Sequence, residues 1–480
     1  MNDRKGFGSN FGFLMAAVGS AVGLGNIWGF PNKMGANGGF PFLILYLALA
    51  LCCGVIIMLG ELALGRKTGH GAVGAYQSIS KRFKWLGWLG IAAAALIFSF
   101  YSALGGYCLR YVVVNFGNLI GAEFGTNGVG GADVFQGLLS QPDVSIAFAL
   151  AFMLITMLVV MSGVGGGIER VCSVGMPALF FILIICIIRS CTLPGAADGL
   201  KYMFVPGWAV ANGIIDEAPG FWRVLTAAGG QMFFSLSLGA GVMITYGSYL
   251  DKKQDLGKST MIIVGMDTVV ALMAGLCVIP GRFALDPNGA LGGPELLFIT
   301  MQNVFDKMGP AGPVFGILFY LLVFFAAISS SISMLEVIVA HFCDKAREKG
   351  KGDRRKLYSA IVVVICAALC ALVCADGMGS NHISPAELLG LAGAKLPGWS
   401  TSWLGLFDSV AEGLLMPLGA LLMCLMISWE LKPDTLRQEI LLNGENRPWV
   451  YDFFRLCVKY ITPLCMLMIL YGQISDFFIV

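Results

Sequence analysis

Charged residues are scarce in this sequence. Only 12% of its 480 residues are Asp, Glu, Lys or Arg, and 57% are hydrophobic, whereas about 25% of the residues in an average soluble domain are charged. Nearly charge-free stretches recur along the chain, and a bilayer span needs about 20 such residues. The composition therefore excludes a soluble globular protein and predicts an integral membrane protein that crosses the bilayer many times.

The sequence also lacks the usual signatures of catalysis. It has no G-x-x-x-x-G-K-[ST] motif for holding nucleotide phosphates. Its three histidines, His70, His341 and His382, fall in separate segments and form no metal-binding cluster. A net charge of +2 without a basic or aromatic stripe gives no indication of nucleic acid as a partner. We therefore expect no enzymatic activity.

Disulfide, glycosylation and cleavage signals are missing as well. The fourteen cysteines lie almost wholly inside apolar runs, where a free cysteine behaves as a small hydrophobe. The basic start MNDRKGFGSN is followed by an apolar run without a small-residue cleavage site, which predicts a retained first span. The absence of an N-x-S/T sequon fits a bacterial inner membrane.

Hydropathy, with glycine, proline and charge as punctuation, predicts eleven spans. If the amino terminus is cytoplasmic, the cytoplasmic segments hold 21 lysines and arginines and the outer segments seven. This bias favours an inside amino terminus and an outside carboxyl terminus. The spans lie near residues 11–37, 40–65, 88–118, 145–162, 171–190, 221–249, 259–280, 312–342, 357–374, 404–430 and 450–474.

Two of these spans are interrupted. Span one carries GSAVGLGNIWGFP (Gly19 to Pro31) and span six carries FFSLSLGAG (Phe233 to Gly241). Paired breaks in matching positions predict two inverted five-span repeats with a binding site near the bilayer midplane. The repeats would cover about 8–190 and 220–430, and an additional span 450–474. Alternatively, Gly19 and Gly23 form a small-xxx-small pair for helix packing.

A broken helix in lipid offers free carbonyl oxygens and the charged ends of half-helices. Carbonyls and hydroxyls suit a hard monovalent cation, and the free amides at a half-helix start suit a carboxylate. Span eight adds Ser329, Ser330, Ser331 and Ser333, whose alternative role is bonding to their own helix. Span seven adds one acid, Asp267, which is a functional candidate because burying it uncompensated is costly.

These motifs resemble those of the neurotransmitter:sodium symporter family, in particular its prokaryotic amino-acid transporters with the leucine-transporter (LeuT) fold. The resemblance rests on the opening motif with NGGFPFLILY after it, on QMFFSLSLGAGVMITYGSYL, and on FFAAISSSISMLEVIVA. It extends from Arg4 to about Tyr471. It implies an all-α polytopic protein with a 5+5 inverted repeat, unwound spans one and six, and eleven transmembrane helices.

The resemblance implies two sodium sites and one substrate site. The first sodium ion would be bound by Ala21, Asn26, Ser235 and Asp267 together with the substrate carboxylate, and the second by Gly19, Val22, Ala326, Ser329 and Ser330. The substrate would contact Ser20, Ala21, Leu24, Gly25, Ile97, Tyr101, Phe234, Ser237, Ala240, Ser330 and Met334.

Further residues are assigned roles in support and closure. Glu61 is expected to brace the broken helices by accepting their free amide hydrogens. The resemblance implies a cytoplasmic gate formed by Arg4, Phe7, Ser248, Tyr249 and Asp344. For Arg4 the alternative is plain positive-inside charge.

Asp267 also bears on chloride. The resemblance implies that chloride-dependent relatives need an anion beside the first sodium ion. Asp267 stands at the position of a sodium-ligating asparagine and brings its own negative charge, which implies chloride independence. Gly23, where monoamine carriers have an aspartate, favours a free amino acid. Ala240 and the adaptable Met334 leave room for a large apolar or aromatic side chain.

One feature departs from the family. The arginine of the outer gate is replaced by Gly29, and its aspartate partner by Ala411. Glu412 next to it has no evident mate in the sequence. We expect a wider or differently closed outer vestibule, with a gate rebuilt from Asp408, Glu412 or Lys33 as an alternative.

The expected protein is a sodium-coupled amino-acid symporter of the bacterial inner membrane that works by alternating access. Its expected partners are a small amino acid, sodium ions (two are expected) and the lipid bilayer. Two alternatives remain: a sodium-coupled carrier of an osmolyte, amine or other zwitterion, and a substrate-sensing receptor on the same scaffold.

Overall fold

A computed structural model describes residues 6–126, 128–291, 293–352, 354–391, 397–431, 434–441 and 448–478. Within these ranges the regular structure is entirely helical. The α-helices are α1 (Asn10–Ala21), α2 (Phe30–Ala36), α3 (Phe40–Leu49), α4 (Val55–Thr68), α5 (Ala72–Ile79), α6 (Lys84–Ile120), α7 (Gly131–Leu139), α8 (Pro142–Met161), α9 (Arg170–Cys191), α10 (Ala196–Phe204), α11 (Trp208–Ala211), α12 (Phe221–Leu236), α13 (Val242–Gly247), α14 (Leu256–Leu285), α15 (Met301–Lys307), α16 (Gly312–Glu348), α17 (Arg355–Asp376), α18 (Pro385–Leu388), α19 (Trp403–Asp408), α20 (Met416–Trp429), α21 (Asp434–Leu441), α22 (Pro448–Leu456) and α23 (Thr462–Phe478).

Wider π-helical turns interrupt several of these helices. Such a turn contains one extra residue and rotates the side chains that follow it relative to a regular α-helix. The π-helical turns are Gly25–Gly29, Ala50–Gly54, Val164–Glu169, Leu296–Thr300, Ser409–Leu415 and Cys457–Ile461, and short 3₁₀ turns occupy Lys81–Phe83, Gly309–Ala311, Gly377–Gly379 and Gly398–Thr401.

In the described ranges, nine helical stretches are long and apolar enough to cross a bilayer. Asn10–Ala21 and Gly25–Ala36, which meet at a bend of 44°, together form a tenth span. The predicted sixth span is divided between the shorter helices α12 and α13, so eleven crossings are consistent with this structure. The nine stretches are Phe40–Thr68, Lys81–Ile120, Pro142–Met161, Val164–Cys191, Leu256–Leu285, Gly309–Glu348, Arg355–Gly379, Trp403–Trp429 and Trp449–Phe477.

Both predicted breaks are present in the backbone. In span one, α1 ends because Val22 is extended (φ −75°, ψ 98°). In span six the chain turns left-handed at Ser237 (φ 53°), Gly239 (φ 79°) and Gly241 (φ 74°). Glycine accepts that conformation without strain, but Ser237 does not. Ser237 nevertheless has this left-handed conformation, which indicates that the surrounding contacts hold the backbone of the break in place.

The long helices α6 and α16 pack against each other more extensively than any other pair of described helices. They flank the two breaks, so the polar interior lies between spans one, three, six and eight. Large apolar side chains face outward instead; Val174, Phe181 and Val364 are each at least 67% exposed. This distribution is expected where the surrounding solvent is lipid.

Candidate ion and substrate site

The break in span one is held by side chains rather than by its own helical ladder. Asn26 caps it, because its Oδ1 accepts a hydrogen bond from the Gly23 amide at 3.0 Å. The Leu24 amide donates to the Tyr101 hydroxyl at 2.7 Å. The Gly25 carbonyl accepts from Gln231 Nε2 at 2.6 Å. These three backbone groups at the break therefore have partners, which burial in lipid favours.

Asp267 lies at the centre of a fully buried polar cluster. Its Oδ1 accepts a hydrogen bond from Asn26 Nδ2 at 2.7 Å, and both carboxylate oxygens lie 3.0 Å from Ser235 Oγ. Tyr46, which sequence reasoning missed, donates to Oδ2 at 3.2 Å. Among the described residues, every side chain that hydrogen-bonds to this carboxylate is neutral. A buried carboxylate without a cation is costly, so the cluster suits a bound monovalent cation.

A second oxygen cluster lies where α1 meets α16. Ser329 Oγ is 3.0 Å from the Ala326 carbonyl and 3.4 Å from that of Val22. Ser330 Oγ is 3.4 Å from the Gly19 carbonyl. All five residues predicted for the second sodium site therefore converge. Their donor set consists of neutral carbonyls and hydroxyls, which are hard oxygen ligands of the kind an alkali cation needs.

The aromatic wall of the predicted substrate site lies on spans three and six. The rings of Tyr101 and Phe234 stand 6.3 Å apart at their centroids. A Cβ built on Gly25 would lie 3.1 Å from Phe234 Cδ1, so this ring packs against the span-one break.

Hydroxyls also line the predicted substrate site. Ser237 Oγ donates to the Ser20 carbonyl at 3.2 Å, and Ser330 Oγ donates to the same carbonyl at 3.0 Å. Ser20 Oγ donates to Ser333 Oγ at 2.7 Å, which adds a fourth hydroxyl that was not among the predicted contacts. The remaining predicted contacts, Ala21, Leu24, Ile97, Ala240 and Met334, are all buried.

Close packing requires glycine at position 23. A Cβ built on Gly23 would lie 2.2 Å from Ser330 Oγ and 2.5 Å from Tyr101 Oη. Any larger residue would displace both hydroxyls. The Ser330 and Tyr101 hydroxyls therefore fill the space beside Gly23 and leave no room for a side chain there.

Glu61 on α4 contacts the second break. Its Oε1 accepts a hydrogen bond from the Gly239 amide at 2.7 Å. A Cβ at Gly239 would approach the Met416 carbonyl oxygen to 2.2 Å, so the backbone is pressed between spans two and ten.

Comparison with known proteins identifies the family to which this chain belongs. The model of the sodium:neurotransmitter symporter family matches residues 4–127 and 132–478. The chain belongs to this family. It is a sodium-dependent membrane transporter with the LeuT fold, and it is not an enzyme.

Relatives cover nearly the whole symporter. The sodium-dependent transporter YhdH of Bacillus subtilis is 36% identical over 97% of each chain. The sodium-dependent transporter MJ1319 of Methanocaldococcus jannaschii is 30% identical over 91% of this chain and 84% of its own. A crystal structure of MhsT in complex with L-phenylalanine is 33% identical, covers 98% of this chain and 100% of its own, and has a TM-score of 0.83.

On the side predicted to be cytoplasmic, the aromatic rings of Phe7, Tyr246 and Tyr249 pack together. Phe7 lies with its ring centroid 5.7 Å from that of Tyr246 and 6.2 Å from that of Tyr249. Asp344 Oδ2 accepts a hydrogen bond from the Gly71 amide at 3.1 Å. Ser248 Oγ donates to the Thr245 carbonyl at 2.6 Å. Arg4, the remaining residue predicted for this gate, lies outside the described residues.

Beneath this packing is an ion pair that sequence reasoning missed. Glu336 in the middle of α16 is fully buried and receives hydrogen bonds from Arg355 Nη1 at 2.5 Å and Nη2 at 3.0 Å. Tyr249 Oη donates to the same carboxylate at 2.5 Å. The only available signal was an acid within a run of apolar residues on span eight.

On the opposite side of the symporter, an ion pair lies near the positions where the family has its outer-gate pair. Lys33 on α2 and Glu412 in the π-helical turn of span ten form an ion pair. Glu412, which has no evident mate in the sequence, is therefore paired in the structure with Lys33, a residue named in the alternative of a rebuilt gate. Its partner comes from a turn beyond Gly29, and the π-helical turn re-aims residues on span ten. The space beside Gly29 is filled by Gln231, whose Oε1 would lie 2.9 Å from a Cβ there.

Proposed function

We propose that this protein imports a hydrophobic or aromatic L-amino acid together with sodium by alternating access, without a requirement for chloride. The observation that carries the proposal is the buried Asp267 carboxylate, which lies among neutral donors between two broken helices. A cation bound there offsets the cost of the buried charge, which is several kcal/mol.

The first sodium ion would be held by Asp267, Asn26, Ser235 and the Ala21 carbonyl. The substrate carboxylate would complete this set beside the Leu24 amide, which already points at Tyr101 Oη. In this arrangement the substrate and the ion stabilise each other, because the carboxylate gains a cation and the cation gains a ligand. Such mutual dependence makes transport coupled rather than a leak.

The second sodium ion would be held by the cluster at Gly19, Val22, Ala326, Ser329 and Ser330. The hydroxyls that donate to these carbonyls would rotate and turn their lone pairs to the ion. Since the Gly19 and Val22 carbonyls belong to span one, and the Ala326 carbonyl and both hydroxyls belong to α16, the ion would join span one to span eight. Losing it would free the two spans from each other.

The substrate side chain would lie between Ile97, Phe234, Ala240 and Met334. Ala240 is the smallest of these, and Met334 adapts its shape easily. The solved relative MhsT in complex with L-phenylalanine supports an aromatic substrate. The absence of an acidic side chain at Gly23 supports a free amino acid over an amine.

Chloride independence follows from the charge of Asp267. Chloride-dependent relatives need an anion beside the first sodium ion. Asp267 provides this charge within the hydrogen-bonded cluster. The amino terminus would face the cytoplasm of a bacterial inner membrane, with substrate and sodium entering from the outer side.

Uptake into proteoliposomes tests this function. Radiolabelled phenylalanine, tyrosine, tryptophan, leucine, glycine and betaine would be offered with sodium outside, with choline replacing sodium, and with gluconate replacing chloride. We expect accumulation of aromatic or large apolar amino acids that needs sodium and is unchanged in gluconate. Equal uptake in choline would refute sodium coupling, preference for betaine would favour the osmolyte carrier, and binding without accumulation would favour the sensor.

A further inference from the structure

The amino-terminal end of α1 is anchored by a carboxylate from another span. Glu169 Oε2 accepts a hydrogen bond from the Gly8 amide at 2.7 Å, and Oε1 accepts one from Ser9 Oγ at 2.9 Å. Ser9 in turn caps the helix, because its Oγ accepts from the Gly12 amide at 2.9 Å. Glu169 therefore binds both the segment that leads into α1 and the residue that caps it.

The contact is close as well as polar. A Cβ built on Gly12 would lie 1.9 Å from Glu169 Oε1, so the carboxylate lies directly against the first turn of α1. A negative charge at a helix amino terminus is favourable, because the amides of the first turn carry partial positive charge. Glycine at position 12 makes that approach possible.

The segment that carries Glu169 is a glycine-rich turn. It is the last residue of the π-helical turn Val164–Glu169, which begins after Gly163 in a left-handed conformation (φ 84°). Gly165 and Gly166 have no side chains and are exposed. Consecutive glycines restrict the backbone little, so the turn that carries the Glu169 carboxylate can adopt several backbone conformations.

Space for movement lies beside it. A cavity of about 920 Å³ is bordered on one side by Gly6, Gly8 and the turn at residues 163–166, and on the other by Ala340, Asp344 and Arg347. The start of span one thus borders solvent-accessible volume. This volume provides space for the start of span one to move.

The far end of α1 is the proposed second sodium site. Gly19, near the end of this 12-residue helix, packs against Cys172 and Met176 of α9, the helix that Glu169 precedes. The span that contains α9 therefore contacts both ends of α1. The Glu169 carboxylate contacts the start of α1, and the sulfur atoms of Cys172 and Met176 lie beside the proposed second sodium site. One continuous helix of 12 residues, about 18 Å long, therefore joins the two ends.

Taking these contacts together, we propose that Glu169 is a positioning residue. It holds the first half of span one in its closed position and thereby sets the sodium affinity of the second sodium site at the other end of α1. Only the part of this inference that concerns sodium affinity rests on the proposed function. Release of Glu169 would let α1 swing away, separate the Gly19 and Val22 carbonyls from the span-eight serines, and admit water from the cytoplasmic side.

Cys172 provides a native reporter. It is 1% exposed, and its Sγ would lie 3.3 Å from a Cβ at Gly19, so α1 covers it. Purified protein would be treated with a charged maleimide across a sodium series, and modification of Cys172 would be quantified by peptide mass spectrometry, separately from the other cysteines. Glu169→Gln is the test variant. Glu430→Gln is the matched control, since Glu430 also accepts a serine hydrogen bond (Ser80 Oγ, 2.9 Å) but lies on span ten.

We expect Glu169→Gln to modify Cys172 roughly tenfold faster than the wild type and to need roughly tenfold more sodium for half-protection, in line with the loss of a helix cap and its charge. Glu169→Asp should recover most of the protection, and Glu430→Gln should match the wild type. Ser9→Ala, which keeps the Gly8 contact, should give a smaller change and serves if Glu169→Gln does not fold.

Equal Cys172 modification in Glu169→Gln and Glu430→Gln would overturn the positioning role. That result is distinct from failure of the proposed function, which would appear as wild-type Cys172 that sodium does not protect at any concentration. If sodium fails to protect but Glu169→Gln still reacts faster, the positioning role stands and its link to sodium is refuted.

Discussion

The ion cradle, meaning the cluster around Asp267 together with the cluster where α1 meets α16, is built from different contacts than the outer closure, meaning the contact between Lys33 and Glu412. In the cradle, neutral amides, hydroxyls and carbonyls from spans one, six, seven and eight surround one acid, and all of them are buried. The outer closure joins two charged side chains, Lys33 and Glu412, and the lysine remains 24% exposed. The cradle gathers many neutral partners, whereas the outer contact brings together charged side chains, with Asp408 beside the Lys33–Glu412 pair.

The difference follows from what each region must do. A site that releases its ion in every cycle benefits from several modest ligands, because each can be replaced by water or by a neighbouring carbonyl. A closure must form and break as a unit, and one partly exposed pair separates at a low cost. The following predictions test this contrast, from the largest expected effect to the smallest.

The largest effect is expected from Asp267→Asn. This change keeps the shape and the contacts to Asn26 and Ser235 but removes the charge, so sodium-driven uptake in gluconate should fall by about 100-fold or more, because a buried cation would lose its counter-ion. Adding chloride should restore part of the rate. Initial uptake rates in the two anions measure this.

Asp306→Asn is the matched control for that change. Asp306 also accepts a hydrogen bond from an amide (Gln302 Nε2, 2.9 Å) but lies on α15, outside the cradle, and its replacement should leave uptake within about twofold. Unchanged chloride-free uptake by Asp267→Asn would refute the charge argument.

Gly23→Ala is expected to weaken substrate binding by about 5- to 100-fold, the range of an overpacked site. Its Cβ would collide with Ser330 Oγ and Tyr101 Oη. Substrate affinity, measured by scintillation proximity, reports the effect. Gly175→Ala on α9, where a Cβ meets nothing within 4 Å, should bind as the wild type does. Equal losses in both variants would point to general destabilisation instead.

The outer closure should respond to charge in a reversible way. Lys33→Met leaves Glu412, which is only 8% exposed, without its cation, and the uptake rate should fall by about tenfold. The double exchange Lys33→Glu with Glu412→Lys should recover most of this loss. Lys201→Met breaks the exposed pair with Asp198 and should have no effect on uptake. If the double exchange is as slow as the single variant, the pair does not close the vestibule.

The smallest effect is expected from Glu61→Gln. The amide oxygen can still accept from the Gly239 amide, so only the charge is lost and the uptake rate should fall by about threefold. Glu61→Leu, which removes the acceptor, should fall much further. The ratio of the two variants measures how much the brace depends on the hydrogen bond; a ratio of one would exclude that role for Glu61.

The local sequence was sufficient to locate the breaks. Glycine runs in two spans, with Asn26 in the first, are unusual in lipid because every unpaired backbone group there is costly, so they predict a binding site by themselves. The serines of span eight and the lone acid Asp267 were visible for the same reason. In each case the signal was a polar residue in a stretch where lipid favours apolar ones.

The long-range pairings were decided by the tertiary structure. Lys33 and Glu412 lie 379 residues apart, and a π-helical turn changes the direction in which span ten presents its side chains. Tyr46 joins the Asp267 cluster from span two, and Arg355 reaches Glu336 from the next span. Periodicity and composition report how a residue relates to its own helix. Which residues of distant helices meet is fixed only when the spans pack, because helix rotation and tilt are set by neighbouring helices.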